Sequence, residues 1–121
     1  GTITKDGAKM SKSKGNTVAP DEFIDKYGSD TFRIYLMFMG PYDEGGDWND
    51  KGIKGIYRFL NKIWKLVNLP NQDHISKESE VLMHQTIKIV TDDLCKMKFN
   101  TSISRLMEMV NSMSGEKSMN D

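Results

Sequence analysis

The stretch from Asn49 to Val67 restricts the possible folds more than any other part of this 121-residue sequence. At about 100° per residue, its basic side chains fall within an arc of roughly 80°, and its apolar side chains fill the opposite half. The basic residues are Lys51, Lys54, Arg58, Lys62 and Lys65. The apolar residues are Ile53, Ile56, Tyr57, Phe59, Leu60, Ile63, Trp64, Leu66 and Val67. This division is typical of an amphipathic helix whose apolar face needs a partner.

Two shorter helices are predicted before this one. Pro20 is suited to a first helical position and Gly28 to a helix end, so together they outline the first helix. Ser29 or Asp30 can cap the second helix, which we expect to cover Thr31 to Met39. Gly40-Pro41 ends that helix, and residues 41–50 are expected to form an acidic loop that contains glycine.

Two longer helices are predicted after the amphipathic helix at 49–67. A polar linker follows Leu69-Pro70, and the next helix runs from about Ser76 to Met97. Asn100 or Thr101 can cap the last helix. The expected inner positions are Met83, Ile87, Val90, Leu94 and Met97 in the first of these helices, and Ile103, Leu106, Met107, Val110 and Met113 in the second.

The first 19 residues are not predicted to be helical. Thr2-Ile3-Thr4 favours a strand and Asp6-Gly7 favours a tight turn, which predicts a short hairpin. Residues 9–16 are polar except for Met10 and are expected to form a loop. The fold class predicted for the whole chain is therefore mainly α, an antiparallel helical bundle preceded by a short β-hairpin and loop segment.

Composition narrows the functional classes. The single cysteine, Cys95, excludes an internal disulfide framework and a cysteine-based metal cluster, and a reducing, cytoplasmic setting is expected. No apolar run approaches the roughly 18 residues that cross a bilayer, so no membrane association is expected. The two histidines have no second ligand nearby, and we expect no metal site. The chain starts without an initiator Met and is expected to be a fragment that ends in a polar tail at 114–121.

The loop Lys9-Met10-Ser11-Lys12-Ser13-Lys14-Gly15-Asn16 carries the clearest chemistry. Its three lysines supply mobile point charges, and its hydroxyls and backbone N–H groups can bind phosphate oxygens. Gly15 allows a positive φ, and Asn16 tolerates one better than most residues. The residues alone leave two interpretations, a polyphosphate-binding loop and a solvated basic linker. The spacing of a Walker P-loop is absent.

Residues 9–13 match, letter for letter, the K-M-S-K-S signature of class I aminoacyl-tRNA synthetases. The stretch 27–33, Y-G-S-D-T-F-R, is similar to the Y-G-x-D-x-x-R sequence that follows this loop in the class. Phe38-Met39-Gly40-Pro41, the segment 48–61 and the stretch 99–111, which contains F-N-T-S-I, resemble bacterial-type leucyl-tRNA synthetases in particular. The resemblance extends over about residues 3–113. A fragment of a valyl-, isoleucyl- or methionyl-tRNA synthetase, and a non-catalytic helical RNA-binding module, are the alternatives.

The resemblance implies a specific function. This family couples leucine to tRNA(Leu) through leucyl-adenylate, with ATP and Mg²⁺. It implies that Lys12 stabilises the departing pyrophosphate with the help of Lys9, and that Met10, Ser11 and Ser13 complete the ATP site. It also implies that residues 1–19 end a catalytic domain, 20–48 form junction helices and 49–113 belong to a helical anticodon-binding domain. The first signature of the class, similar to His-Ile-Gly-His, is absent from this sequence, so the fragment alone is predicted to be inactive.

The helix at 49–67 carries a further hypothesis. Its basic residues (Lys51, Lys54, Arg58, Lys62 and Lys65) could contact a tRNA backbone, and an ordinary solvated face is the alternative. Trp48, Tyr57 and Trp64 could stack on bases. Because Tyr57 and Trp64 share a helical face with Leu60, we expect them to pack in the core instead. The chain is expected to be a monomer.

Overall fold

The computed structural model describes the backbone of residues 1–70 and 75–119 and the side chains of residues 1–70 and 75–115. Over these residues the chain contains three short strands and five α-helices. The strands are β1 (Thr2–Lys5), β2 (Ala8–Lys9) and β3 (Gly45–Trp48). The helices are α1 (Pro20–Tyr27), α2 (Ser29–Phe38), α3 (Gly52–Val67), α4 (Lys77–Cys95) and α5 (Phe99–Met119). The mainly α fold class, with a β-hairpin ahead of the helices, is confirmed.

The chain divides into two compact units, residues 1–58 and residues 59–121. In the first unit, β1 pairs antiparallel with β2 and parallel with β3, giving the strand order β2-β1-β3. The predicted hairpin is confirmed, since Asp6 and Gly7 both have positive φ and form its turn. The expectation of a loop throughout 41–50 is wrong, because residues 45–48 pair with β1.

The core of the first unit is built around Trp48, which is only 1% exposed. Phe23 of α1 and Tyr35 of α2 contact its ring edge-on, with centroids 4.9 and 4.8 Å away. Ile53 and Ile56, on the first turns of α3, are fully buried in the same unit. Burying these aromatic and aliphatic surfaces is the main source of stability in a unit with so little sheet.

The ends of α1 and the start of α4 agree with the sequence, whereas the expected cap of α2 by Ser29 or Asp30 is wrong, because Gly28 precedes this helix and no side chain caps it. Pro20 begins α1, and Gly28 ends it with a φ of 91°. The Ser76 hydroxyl accepts a hydrogen bond from the amide of Ser79 and caps α4. The prediction for α5 is wrong at its start, because the helix begins at Phe99 and Asn100 and Thr101 lie inside it. The polar linker predicted after Pro70 falls largely on residues 71–74, outside the described residues.

In the second unit, α4 and α5 are joined by residues 96–98 and pack on each other as a helical hairpin. Their most buried residues are Ser79, Thr86, Ser102 and Val110. The hydroxyls of Thr86 and Ser102 donate to carbonyls one turn earlier, so these small polar residues pack without an unmet hydrogen bond.

The predicted apolar face of α4 is partly wrong. Ile87, Leu94 and Met97 are each about half exposed, and Met97 lies beyond the end of the helix. The buried face of α4 is the neighbouring one, which carries Ser79 and Thr86. The hydroxyl of Thr86 bonds within its own helix and so allows close packing there, which a search for apolar residues does not detect.

Candidate functional site

The loop at residues 10–16 is held between β2 and α1. Its middle, Lys12–Lys14, forms a single 3-10 turn that is capped at both ends. Ser11 provides the first cap, since its Oγ accepts a hydrogen bond from the amide of Lys14 at 3.2 Å. Gly15 provides the second with a φ of 66°, and its amide donates to the carbonyl of Lys12. The positive φ expected of Gly15 is confirmed, whereas Asn16 does not adopt one.

The lysine side chains of this loop point into solvent. Lys9, Lys12 and Lys14 are exposed, and within the part of the chain that the structure describes none of them forms an ion pair. Met10 and Ser11 are half-buried, and Ser13 is exposed with its Oγ 2.9 Å from that of Ser11. The loop therefore combines a fixed backbone with free ammonium groups, an arrangement suited to an anionic ligand.

Asn16 holds the loop closed and was not predicted to do so. Its Oδ1 accepts a hydrogen bond from the amide of Ser11 at 2.8 Å, and its Nδ2 donates to the carbonyl of Lys9 at 3.0 Å. The residue type could have indicated this role, because asparagine side chains often form hydrogen bonds with backbone groups a few residues away. The sequence suggested only that Asn16 could tolerate an unusual φ.

Asp47 of β3 anchors the hairpin that leads into the loop. Its Oδ1 accepts hydrogen bonds from the hydroxyl of Thr4 at 2.5 Å and from the amide of Gly7 at 2.8 Å. These bonds, chiefly the one from Thr4, lower the pKa of the Asp47 carboxyl below its ordinary value. No sequence signal indicated this residue, because its position depends on the pairing of β1 with β3.

Among the aromatic residues considered for base stacking, Tyr57 and Trp64 are exposed and Trp48 is buried. Trp64 is 71% exposed and Tyr57 is 41% exposed, so the prediction that they pack in the core is wrong. Tyr57 makes one edge-on contact, with the ring of Tyr27. Trp48 is buried, and its indole N–H donates to Asp50 at 2.8 Å. Trp48 is therefore a core residue that is unavailable to a nucleic acid.

The structure places the five basic residues at 51–65 on the surface. Lys51 directly precedes α3, and Lys54, Arg58, Lys62 and Lys65 are exposed along it. Lys62 forms a hydrogen bond within the chain, since its Nζ donates to Oδ1 of Asn111 at 2.7 Å. No helix in residues 1–70 and 75–119 is long and apolar enough to span a membrane.

Comparisons with known proteins agree with this geometry. A family described as tRNA synthetases class I (I, L, M and V) matches residues 2–49, which include the loop. A leucine–tRNA ligase of Pseudothermotoga lettingae is 50% identical across 92% of this chain, and one of Clostridium perfringens is 47% identical across 95%. The chain spans about 15% of the length of the first relative and 16% of the second.

A solved structure gives the same fold. It is a crystal structure of an Agrobacterium radiobacter LeuRS in a ternary complex with tRNA and LeuAMS. The similarity covers 98% of this chain and 18% of that one, with a TM-score of 0.78 and 24% identity.

The capped loop with the K-M-S-K-S sequence lies within residues 2–49, the region that matches the class I tRNA synthetases, so this is the class of protein that the comparisons indicate. The relatives at 47–50% identity narrow the class to one family, because both are leucine–tRNA ligases. The chain belongs to the leucyl-tRNA synthetase family, whose members are leucine–tRNA ligases.

Proposed function

We propose that this chain supplies the K-M-S-K-S loop of an enzyme that charges tRNA(Leu) with leucine through leucyl-adenylate. In that reaction the leucine carboxylate attacks the α-phosphorus of ATP, and the bond to the bridging oxygen breaks as pyrophosphate leaves. The observation that carries the proposal is a backbone fixed by caps at Ser11 and Gly15, from which the ammonium groups of Lys9 and Lys12 extend freely.

Lys12 has the main role in this proposal. Negative charge grows on the leaving pyrophosphate, and a nearby ammonium group stabilises the transition state more than the bound substrates. Lys9 assists, and Met10, Ser11 and Ser13 complete the site that binds the triphosphate. ATP enters as its Mg²⁺ complex, so the ion arrives with the substrate. When the loop closes over ATP, its lysines replace water around the phosphates.

The helical part of the chain supports tRNA binding in this proposal, and the residues before it belong to the catalytic domain. Residues 1–19 end the catalytic domain, 20–48 join it to the helices, and 49–113 belong to the anticodon-binding domain. The exposed basic residues Lys51, Lys54, Arg58, Lys62 and Lys65 lie along the tRNA backbone. The enzyme works in the cytoplasm, and this chain is a monomer.

Single-turnover adenylation tests the role of Lys12 in a full-length enzyme that carries this segment. Lys12→Ala should lower the adenylation rate constant by about 10²- to 10³-fold with little change in leucine affinity. Lys12→Arg should restore only part of the rate, because a planar guanidinium does not reproduce a point charge on a flexible stem. Lys14→Ala is the matched control and should cost much less. A Lys12→Ala rate within about threefold of wild type would refute the catalytic role.

The isolated 121-residue chain should show no leucine-dependent ATP–pyrophosphate exchange. A lysine loop without the adenosine and leucine pockets loses most of the contribution of proximity to the rate. Exchange that leucine stimulates in the purified chain would contradict this part of the proposal.

A further inference from the structure

The side chain of Asn16 makes two hydrogen bonds across the base of the loop. Its Oδ1 accepts from the amide of Ser11, and its Nδ2 donates to the carbonyl of Lys9. Both partners are backbone groups, one on each side of Met10. One carboxamide therefore ties the end of the loop to its first half and closes residues 9–16 into a ring.

This pair of bonds requires a side chain that both accepts and donates, as the carboxamide of asparagine does. A carboxylate of the same size could accept from the amide of Ser11 but could not donate to the carbonyl of Lys9. Asn16 is also half-buried and its bond with the amide of Ser11 is partly buried, so water replaces that bond less readily than on an open surface.

Lys12 lies inside this ring. Its carbonyl accepts from the amide of Gly15, and the 3-10 turn that begins with it is capped by the hydroxyl of Ser11. Asn16 holds the amide of Ser11, which immediately precedes Lys12. The backbone of Lys12 is thus restrained on both sides, and its exposed side chain is the part of the residue left to move.

We propose that Asn16 is a positioning residue that sets where the ammonium group of Lys12 can reach. The inference rests on the proposed catalytic function of the loop and adds a residue outside the K-M-S-K-S signature. Without both hydrogen bonds the ring opens, and Lys12 samples positions away from the leaving pyrophosphate. A displacement of about 1 Å in a catalytic group can lower the rate by as much as 10²-fold.

The test is a double-mutant cycle in a full-length enzyme that carries this segment. Single-turnover adenylation is measured for wild type, Asn16→Ala, Lys12→Ala and the double variant. Asn68→Ala is the matched control, because Asn68 also donates from its carboxamide to a backbone carbonyl, that of Trp64, but lies outside the loop. Leucine affinity and the thermal midpoint are recorded for each protein.

Asn16→Ala should lower the adenylation rate constant by roughly 10- to 100-fold and leave leucine affinity unchanged. In the Lys12→Ala background the same substitution should have an effect of less than about threefold, because the group that it positions is already missing. Asn68→Ala should keep the wild-type rate. A role in overall folding would instead lower the thermal midpoint and reduce the rate in both backgrounds.

Asn16→Asp keeps the test decisive if Asn16→Ala does not fold. It is nearly isosteric and keeps the acceptor for Ser11, but it loses the donor to Lys9. It should also slow adenylation, and only when Lys12 is present.

The results distinguish a failure of the proposed function of the loop from a failure of the proposed role of Asn16. If Lys12→Ala retains the wild-type rate, the proposed function of the loop is wrong. If Lys12→Ala is slow but Asn16 variants are as fast as wild type, or slow the Lys12→Ala enzyme equally, the positioning role of Asn16 is wrong.

Discussion

The hydroxyl of Tyr35 forms two hydrogen bonds with the backbone of Asn49, donating to its carbonyl at 3.1 Å and accepting from its amide at 3.2 Å. Tyr35 lies on α2 and is 5% exposed, and Asn49 directly follows β3. Burial raises the pKa of Tyr35, although the bond to Asn49 opposes this effect. One buried hydroxyl therefore ties a helix to the end of the strand that carries Trp48 and Asp47.

Tyr35→Phe should lower the free energy of unfolding of the first unit by about 1–3 kcal/mol, because it leaves the carbonyl and the amide of Asn49 without this partner. Urea denaturation followed by circular dichroism measures the change. Tyr57→Phe is the control, since Tyr57 is 41% exposed and its hydroxyl makes no hydrogen bond within the described residues. Equal stabilities for the two variants would contradict the importance of the Tyr35–Asn49 pair.

The stability of the first unit should depend on pH through Asp47. Because the pKa of Asp47 is lowered on folding, the unfolded chain binds more protons between the two pKa values, and stability rises with pH there. The contribution is complete above the unfolded pKa of about 3.9 and is lost as the pH falls through the folded pKa.

Asp47→Asn tests this prediction, because it keeps an acceptor but has no charge to titrate. Thermal midpoints measured from about pH 6 to pH 2.5 should fall less steeply for the variant than for wild type. Asp43→Asn is the control, since the Asp43 carboxylate has no hydrogen bond or ion pair in the described residues. Parallel profiles for wild type and Asp47→Asn would exclude a contribution from Asp47.

The two tryptophans should respond differently to a quencher in solution. Trp64 is 71% exposed and Trp48 is 1% exposed, so acrylamide should quench one component of the fluorescence far more than the other. Trp64→Phe should remove the readily quenched component and leave emission from the buried Trp48. Quenching that is unchanged in Trp64→Phe would show that Trp64 is no more accessible to acrylamide than Trp48, which would contradict this difference in exposure.

The basic residues of α3 should contribute to tRNA affinity through phosphate contacts. In a full-length enzyme that carries this segment, Lys54→Ala and Lys65→Ala should each weaken tRNA binding and reduce the slope of log affinity against log salt by about one. Filter binding at several salt concentrations measures both quantities. Lys88→Ala on α4 is the control, because Lys88 is also exposed but lies outside this helix. An unchanged slope in the α3 variants would identify an ordinary solvated face.

The sequence by itself determined the features that depend on neighbouring residues. Asp6-Gly7 specified the hairpin turn, and Pro20 and Gly28 set the limits of α1. Ser76 specified the start of α4. These features follow from backbone conformation and local hydrogen bonds, which a few consecutive residues decide. The K-M-S-K-S signature could also be recognised from the sequence alone, because the five residues that define it are consecutive.

The tertiary structure decided everything that joins distant residues. β3 has the sequence Gly-Gly-Asp-Trp, which has the composition of a loop, and it forms a strand because β1, some 40 residues earlier, supplies its hydrogen-bond partners. Trp48, at the end of this strand, is buried against residues of α1 and α2, and the pairing brings Asp47 to the hairpin turn. Helical periodicity likewise identified the apolar face of α3 but could not show that Trp64 stays exposed on it. A pattern indicates which side chains would gain from burial, whereas only the packed chain determines which surfaces have a neighbour to cover them.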